Sequence, residues 1–198
     1  QSAELTVIAQ AAHSEAQNLP LYQKRNWSLA NAVVKYVCQR DGIAQLTKDQ
    51  LHQSTKVYIP ARMEALHDDN TTVILDAAHN PQKMAALVKS LKQAYPNQKF
   101  TVLLALLRSR DARVQGVLEQ LLPITDELII TDFVAGQDLR KYATVPEQIV
   151  TVCHQQGFTN VSIELDNKKA FDLLMQSDAK HKLITGSFYL LHDLRESL

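Results

Sequence analysis

The segment Asp76-Ala77-Ala78-His79-Asn80-Pro81 brings a carboxylate, an imidazole and an amide together in a short stretch of chain. Asp76 directly follows the apolar run Val73-Ile74-Leu75, so it stands at a strand end rather than in a solvated turn. Asn80 followed by proline is the signature of a tight entry into a helix. His79 then projects from the turn beside the positive end of that helix, where free backbone N–H groups and a donor imidazole would meet a carboxylate. Asp76 could accept hydrogen bonds from ribose hydroxyls or from an amine. On pattern alone the plainer account comes first: a capped turn with a hydrogen-bonded histidine.

Similar polar groups follow the other apolar runs. They are Arg108-Ser109-Arg110-Asp111, Asp132, Asp166-Asn167 and Gly186-Ser187. Asn80 and Asn167 are expected as helix N-caps, and Ser187 as the cap of a last helix. The runs themselves predict strands over 72–75, 100–107, 127–131, 161–165 and 183–185. Helices are predicted over 81–95, 111–122, 146–156 and 167–176, with 188–198 a last helix or a loose tail. This alternation predicts an α/β fold: a Rossmann-like open, mostly parallel sheet with helices on both faces. In such a sheet ligands bind outside the carboxyl ends of the strands, which is where these polar groups fall.

The first 60 residues differ. A strand or helix is expected around 5–11. A helix over 27–40 should carry Leu29, Val33, Val34 and Val37 on one face and stop at Gly42. Thr47 should cap a short helix over 48–55. Residues 56–60 should be extended ahead of Pro60. Residues 1–60 thus form a small, mostly helical region that reads as a piece of another domain. The boundary is expected near Pro60, within 58–63, with the α/β domain over 61–198.

Composition excludes several classes. The 198 residues carry 21 Lys+Arg and 21 Asp+Glu, so the formal net charge is zero, unlike a general nucleic-acid binder. The basic spots Lys24-Arg25 and 108–113 lack interleaved aromatic residues, so no nucleic-acid partner is expected. No apolar run approaches the roughly 18–20 residues of a spanning helix, and no secretory leader is visible, so no membrane partner is expected. Cys38 and Cys153 make neither a disulfide framework nor a zinc site; free thiols in a reducing cytoplasm are expected. The closest pair among the five glycines is Gly116 and Gly136, so neither a P-loop nor a dinucleotide fingerprint can exist in this chain. The chain starts at Gln1, which fits numbering that begins inside a longer polypeptide or after processing.

Four segments carry a resemblance. Asp76-Ala77-Ala78-His79-Asn80-Pro81 resembles the Asp-Gly-Ala-His-Asn-Pro motif of folylpolyglutamate and dihydrofolate synthases, members of the Mur ligase superfamily. Pro60-Ala61-Arg62-Met63-Glu64 is similar to that family's Pro-Gly-Arg-Met/Leu-Glu, and Thr185-Gly186-Ser187-Phe188-Tyr189 to its terminal Thr-Gly-Ser-Leu/Phe-Tyr. Tyr22-Gln23-Lys24-Arg25-Asn26 resembles its His-Gln-x-x-Asn segment. The order is the family's own. Ala61 and Ala77 stand where the family has glycine, Tyr22 where it has histidine, and only Asp111 matches within its Asp-Lys-Asp stretch.

The resemblance implies the C-terminal part of a magnesium- and ATP-dependent ligase. A carboxylate of folate or dihydropteroate is phosphorylated, and the amine of L-glutamate attacks the acyl phosphate. Asn26, Arg62 and Asp76 are then expected on the adenosine side of ATP, and His79 as a catalytic group toward the incoming glutamate. ATP phosphates and Mg2+ would be held mainly by a P-loop domain outside this chain. No metal site of its own is expected, the partners are small molecules, and the protein is expected to be a monomer. A cell-wall Mur ligase or a non-catalytic α/β binding module are the alternatives.

Overall fold

The computed structural model describes residues 16–68, 70–135 and 141–195. The chain divides into two compact units, Gln1–Tyr58 and Ile59–Leu198. The expected element at 5–11 lies outside the described residues.

In the first unit, helix α1 spans Leu21–Asp41 and α2 spans Lys48–Ser54. Pro20 precedes α1, whose start lies well before the expected residue 27 and takes the 22–26 segment into the helix. Gly42, at φ 66°, ends it as expected, and Ile43 N–H donates back to Cys38 O at 2.9 Å. Thr47 and Gln50 form a reciprocal capping box at the start of α2. Trp27 Nε1 donates to Ser54 Oγ at 2.8 Å and ties the two helices together. The apolar stripe expected on one face of this helix is largely exposed. Leu29 and Val33 are 54% and 52% exposed, while Ser28, Asn31 and Cys38 are buried. Helical spacing states which side chains share a face, not whether a neighbour covers it.

The second unit is built on a six-stranded sheet. Its strands are β1 (Glu64–Asp68), β2 (Thr71–Asp76), β3 (Phe100–Leu104), β4 (Thr125–Ile130), β7 (Val161–Ile163) and β8 (His181–Thr185). Strands β5 (Val134–Ala135) and β6 (Lys141–Tyr142) form a separate antiparallel ribbon. The sheet order is β1-β2-β8-β3-β4-β7, with β1 antiparallel to β2 and all other pairs parallel. The helices are α3 (Pro81–Ala94), α4 (Asp111–Leu121), α5 (Pro146–Gln155), α6 (Asn167–Gln176) and α7 (Phe188–Leu194). This is the expected open, mostly parallel α/β sheet covered on both faces.

Side-chain alternation along the strands sorts the core into two layers. Ile74, Val102, Leu104 and Leu128 pack with Met84 of α3, Leu118 of α4 and Ile149 of α5. Val73, Leu75, Leu103 and Ile184 pack with Phe171 of α6 and Leu190 of α7. All five residues of β3 are buried, which explains its unbroken apolar sequence. Strand β8 inserts between β2 and β3, so the chain's direction across the sheet reverses there. The carboxyl ends of β2, β8 and β3 consequently lie side by side.

Two sheet features escape the periodicity. Strand β1 is an edge strand with only Glu64 buried, and the ribbon strands have two residues each. The cap of α6 is Asp166 rather than Asn167: its carboxylate accepts from the N–H groups of Lys168 and Lys169. Asp166 stands one residue before the helix, where the free N–H groups point.

Candidate functional site

The turn after β2 is held by its own polar groups. Asp76 is 3% exposed, and its Oδ1 accepts from Ala78 N–H at 2.9 Å. Its Oδ2 accepts from Met63 N–H, also at 2.9 Å. The carboxylate therefore joins the end of β2 to the segment that enters β1. Asn80 caps α3 through Lys83 N–H at 2.9 Å, as expected. Thr185 Oγ1 donates to Ala78 O at 3.4 Å, bringing the end of β8 against the same turn. Gly186 is required there: it has φ 101°, and a Cβ would lie 2.4 Å from Ala105 O. Ser187 accepts from Tyr189 N–H and caps α7, as expected.

His79 is half-buried on this turn. Its Nδ1 lies 2.8 Å from Ala77 O. A carbonyl only accepts, so Nδ1 carries the ring proton. Nε2 is then a lone pair in the neutral ring, and Lys83 Nζ lies 3.3 Å from it. Arg113 reaches over from α4 and donates to His79 O from Nε at 3.3 Å and Nη2 at 3.0 Å. Burial pushes the imidazole below its usual range. The Ala77 hydrogen bond opposes this, and the charges of Lys83, Arg113 and Arg62 add to it. The neutral ring thus has its acceptor at Nε2, beside Lys83 Nζ, and donation to a carboxylate from Nε2 would require the imidazolium that these cations disfavour.

Arg62 lies beside the same turn. Its Nη1 donates to Ala61 O at 3.1 Å, and its guanidinium carbon sits 4.5 Å from the centroid of the Phe188 ring. Glu64 is buried; its Oε2 accepts from Ala61 N–H at 2.9 Å and from Arg195 Nη1 at 2.7 Å. Arg62, Asp76 and His79 are therefore brought together at one sheet edge. Asn26 is an exposed residue of α1 in the other unit. Arg108 and Arg110 are exposed, while Asp111 accepts from Gln148 Nε2. An open recess beyond β4 and β7 is lined by Asp132, Phe133, Leu165 and Asp166 to Lys168, but the Asp166 carboxylate there is occupied as a helix cap.

Glu64, Phe188, Arg113 and Arg195 are site neighbours that residue patterns did not single out. Glu64 and Phe188 fall inside recognised motifs, which was the available signal. Arg113 and Arg195 carry none, since their partners are distant in sequence. Among the described residues no group of three or more His, Cys, Asp or Glu side chains gathers as metal ligands. None of the described helices is long and apolar enough to cross a membrane.

Comparison with known proteins gives a consistent result. The family model described as Mur ligase, glutamate ligase domain matches residues 61–188. Dihydrofolate synthetase of Saccharomyces cerevisiae is 29% identical over 193 residues, covering 89% of this chain and 44% of that protein. Dihydrofolate synthase/folylpolyglutamate synthase of Mycobacterium tuberculosis is 32% identical over 184 residues, covering 85% of this chain and 37% of that protein. Among solved structures, the Mycobacterium tuberculosis folylpolyglutamate synthase complexed with ADP and AMPPCP has a TM-score of 0.71 at 25% identity. It matches over 90% of this chain and 40% of that one. The chain thus spans less than half the length of each of these proteins.

Proposed function

The chain belongs to the Mur ligase family, glutamate ligase domain, and on that premise we propose that it supplies the C-terminal domain of an ATP-dependent ligase adding L-glutamate to folate or dihydropteroate. The carrying observation is the gathering of Arg62, Asp76 and His79 at one sheet edge, on the two motifs that flank β1 and β2. The names of the relatives, and the nucleotides in the solved neighbour, support the same substrates. Residues 1–60 are then the tail of the central domain, and 61–198 the closing α/β domain. The protein acts in the cytoplasm as a monomer on small molecules.

Roles follow from the chemistry of each group. The Arg62 guanidinium, with one face on Phe188, turns its other face and edge to the adenosine of ATP. Asp76 serves the nucleotide through the turn it holds, on the ribose side. Asn26 is assigned to the adenosine side on its motif alone. His79, neutral with its Nε2 lone pair beside Lys83 Nζ, accepts a proton or hydrogen bond from the amine of the incoming glutamate when that amine takes the place of Lys83. That amine attacks the acyl phosphate carbon, the amide bond forms and phosphate leaves. Closure of this domain excludes the water that would otherwise hydrolyse the acyl phosphate. ATP fits these groups on its adenosine side only. Metal and phosphates are assigned to a P-loop domain outside the chain, as the resemblance implies.

The test is ADP release dependent on both glutamate and a pteroate or folate acceptor, measured on a polypeptide joining this chain to a P-loop domain. Activity is expected there and absent from the 198-residue chain alone. His79→Ala should lower turnover by about 10²-fold or more, the usual size of a lost acid–base group. Turnover of nucleotide-linked peptides in place of folates would instead assign a cell-wall ligase. Wild-type kinetics in both His79→Ala and Arg62→Ala would remove the catalytic reading.

A further inference from the structure

The backbone around Arg62 is unusual. Ala61 and Met63, on either side of it, have φ of 56° and 49°. Residues with a side chain enter this left-handed region at a cost, so two visits this close together persist only where the surroundings over-determine them. Two buried carboxylates do so here. Glu64 accepts the Ala61 N–H and Asp76 accepts the Met63 N–H, each at 2.9 Å. Ala77 N–H closes the loop on Ala61 O at 3.1 Å.

Glu64 cannot perform this alone. Its side chain is 4% exposed, and a buried carboxylate is tolerated only with a partner. That partner is Arg195, just past the end of α7, at 2.7 Å. The other end of α7 supplies Phe188, whose ring lies against the Arg62 guanidinium. One short helix therefore touches both the backbone anchor and the side chain of the same arginine.

We propose that Phe188 and Arg195 are positioning residues for Arg62: Arg195 acts through Glu64 on the Ala61–Met63 turn, and Phe188 directly on the guanidinium. The functional value of this rests on the reading that Arg62 faces the nucleotide. Arg195 lies outside every recognised motif, and the contact joins residues 131 positions apart, so only the fold reveals it.

The first test needs no catalysis. In the 198-residue chain, the Arg62 Nε–H resonance should carry a ring-current shift that Phe188→Leu abolishes. Arg195→Met and Glu64→Gln should raise amide exchange at Ala61 and Met63 by about tenfold or more, with Leu103 and Leu104 unchanged. Arg195→Lys should retain protection. An Arg62 signal and Ala61 exchange unaltered by both Phe188→Leu and Arg195→Met would overturn the proposal. Should Arg195→Met expose Leu103 and Leu104 too, Glu64→Gln and Arg195→Lys carry the exchange test in its place.

The second test uses the ligase polypeptide. Arg62→Ala should raise KM for ATP, and Arg195→Met should raise it more than it lowers kcat. The double variant should be no worse than Arg62→Ala alone, because Arg195 acts only through that residue. If Arg62→Ala raises KM and Arg195→Met does not, positioning is overturned while the nucleotide reading stands. If Arg62→Ala leaves KM unchanged, the nucleotide reading fails. The resonance and exchange measurements then support or overturn the contact on their own.

Discussion

Helix α1 and strand β3 both carry a run of apolar positions in sequence, yet those positions end in opposite environments. In β3 every residue from Phe100 to Leu104 is buried between two helical layers. In α1, Leu29, Val33 and Tyr36 are 54%, 52% and 65% exposed, and the buried positions include Ser28 and Asn31. Ser28 Oγ satisfies itself on Lys24 O at 2.9 Å, whereas among the described residues Asn31 Oδ1 finds no donor. An apolar pattern defines a face; stability comes only when another element covers it. The β3 layers carry the energy of the second unit, and the α1 face contributes little in this chain.

The largest effects should confirm that contrast. Gly186→Ala must add a methyl 2.4 Å from the Ala105 carbonyl at φ 101°. Overpacking costs about 1–3 kcal/mol and left-handed strain about 1–2, so a loss of roughly 2–5 kcal/mol is expected in urea unfolding. Leu103→Ala, at a fully buried site, should cost about 2–5 kcal/mol as well. Leu29→Ala should lie within about 0.5 kcal/mol in the 198-residue chain, as exposed substitutions do. If residues 1–60 belong to a larger central domain, Leu29→Ala should become costly in the longer ligase. An equal cost for Leu29→Ala and Leu103→Ala in this chain would break the comparison.

The second unit was the more legible in sequence for the same reason. Buried parallel strands are unbroken apolar runs, and each helix facing them shows a 3.6-residue stripe. Met84, Leu87 and Leu91 of α3 could be read directly, and all three are buried. Strand β1 was hidden because an edge strand buries little. Its one buried residue, Glu64, is a charge rather than a hydrophobe. At the site, Asp76 and His79 announced themselves by following an apolar run. Their actual partners, Met63 N–H and Ala77 O, are backbone groups with no sequence signature. Arg195 was illegible because its function is defined by a contact across the whole unit.

The two alanines that replace family glycines sharpen the comparison at a single residue. Ala61 has φ 56°, while Ala77 is absent from the described non-glycine residues with positive φ. Only the first replacement therefore carries backbone strain. Ala61→Gly should relieve about 1 kcal/mol of left-handed cost, offset by the greater freedom of glycine in the unfolded chain. A net gain of no more than about 0.5 kcal/mol is expected. Ala77→Gly should lose about 0.5–1 kcal/mol through that freedom alone. Thermal unfolding of the two variants side by side decides the matter, and equal shifts of the same sign would remove strain at Ala61 from the account.

The smallest effect compares the two edges of the sheet through their histidines. His79 lies at the carboxyl edge, while His181 begins β8 at the other and packs against Tyr95 and Phe100. Both imidazoles are pushed below their usual value of 6.5, chiefly by burial. Cations add to the effect: Lys83, Arg113 and Arg62 at His79, and Lys180 at His181. In the unfolded chain each ring takes a proton near 6.5, while the folded chain resists it. The unfolded state thus binds more protons below that pH, and stability must fall as pH drops from about 6.5. Asp41 and Asp166, held below their usual 3.8, lose their contribution only at still lower pH. The urea midpoint should accordingly be flat from pH 8 to 7 and decline toward pH 5.5, by less in His79→Gln and by less again in His79→Gln/His181→Gln. A decline of equal size in the double variant would show that neither ring is responsible. A decline removed by His181→Gln alone would mean that the cations around His79 do not hold it neutral, and would return to that ring the donor role that its neutral tautomer denies it.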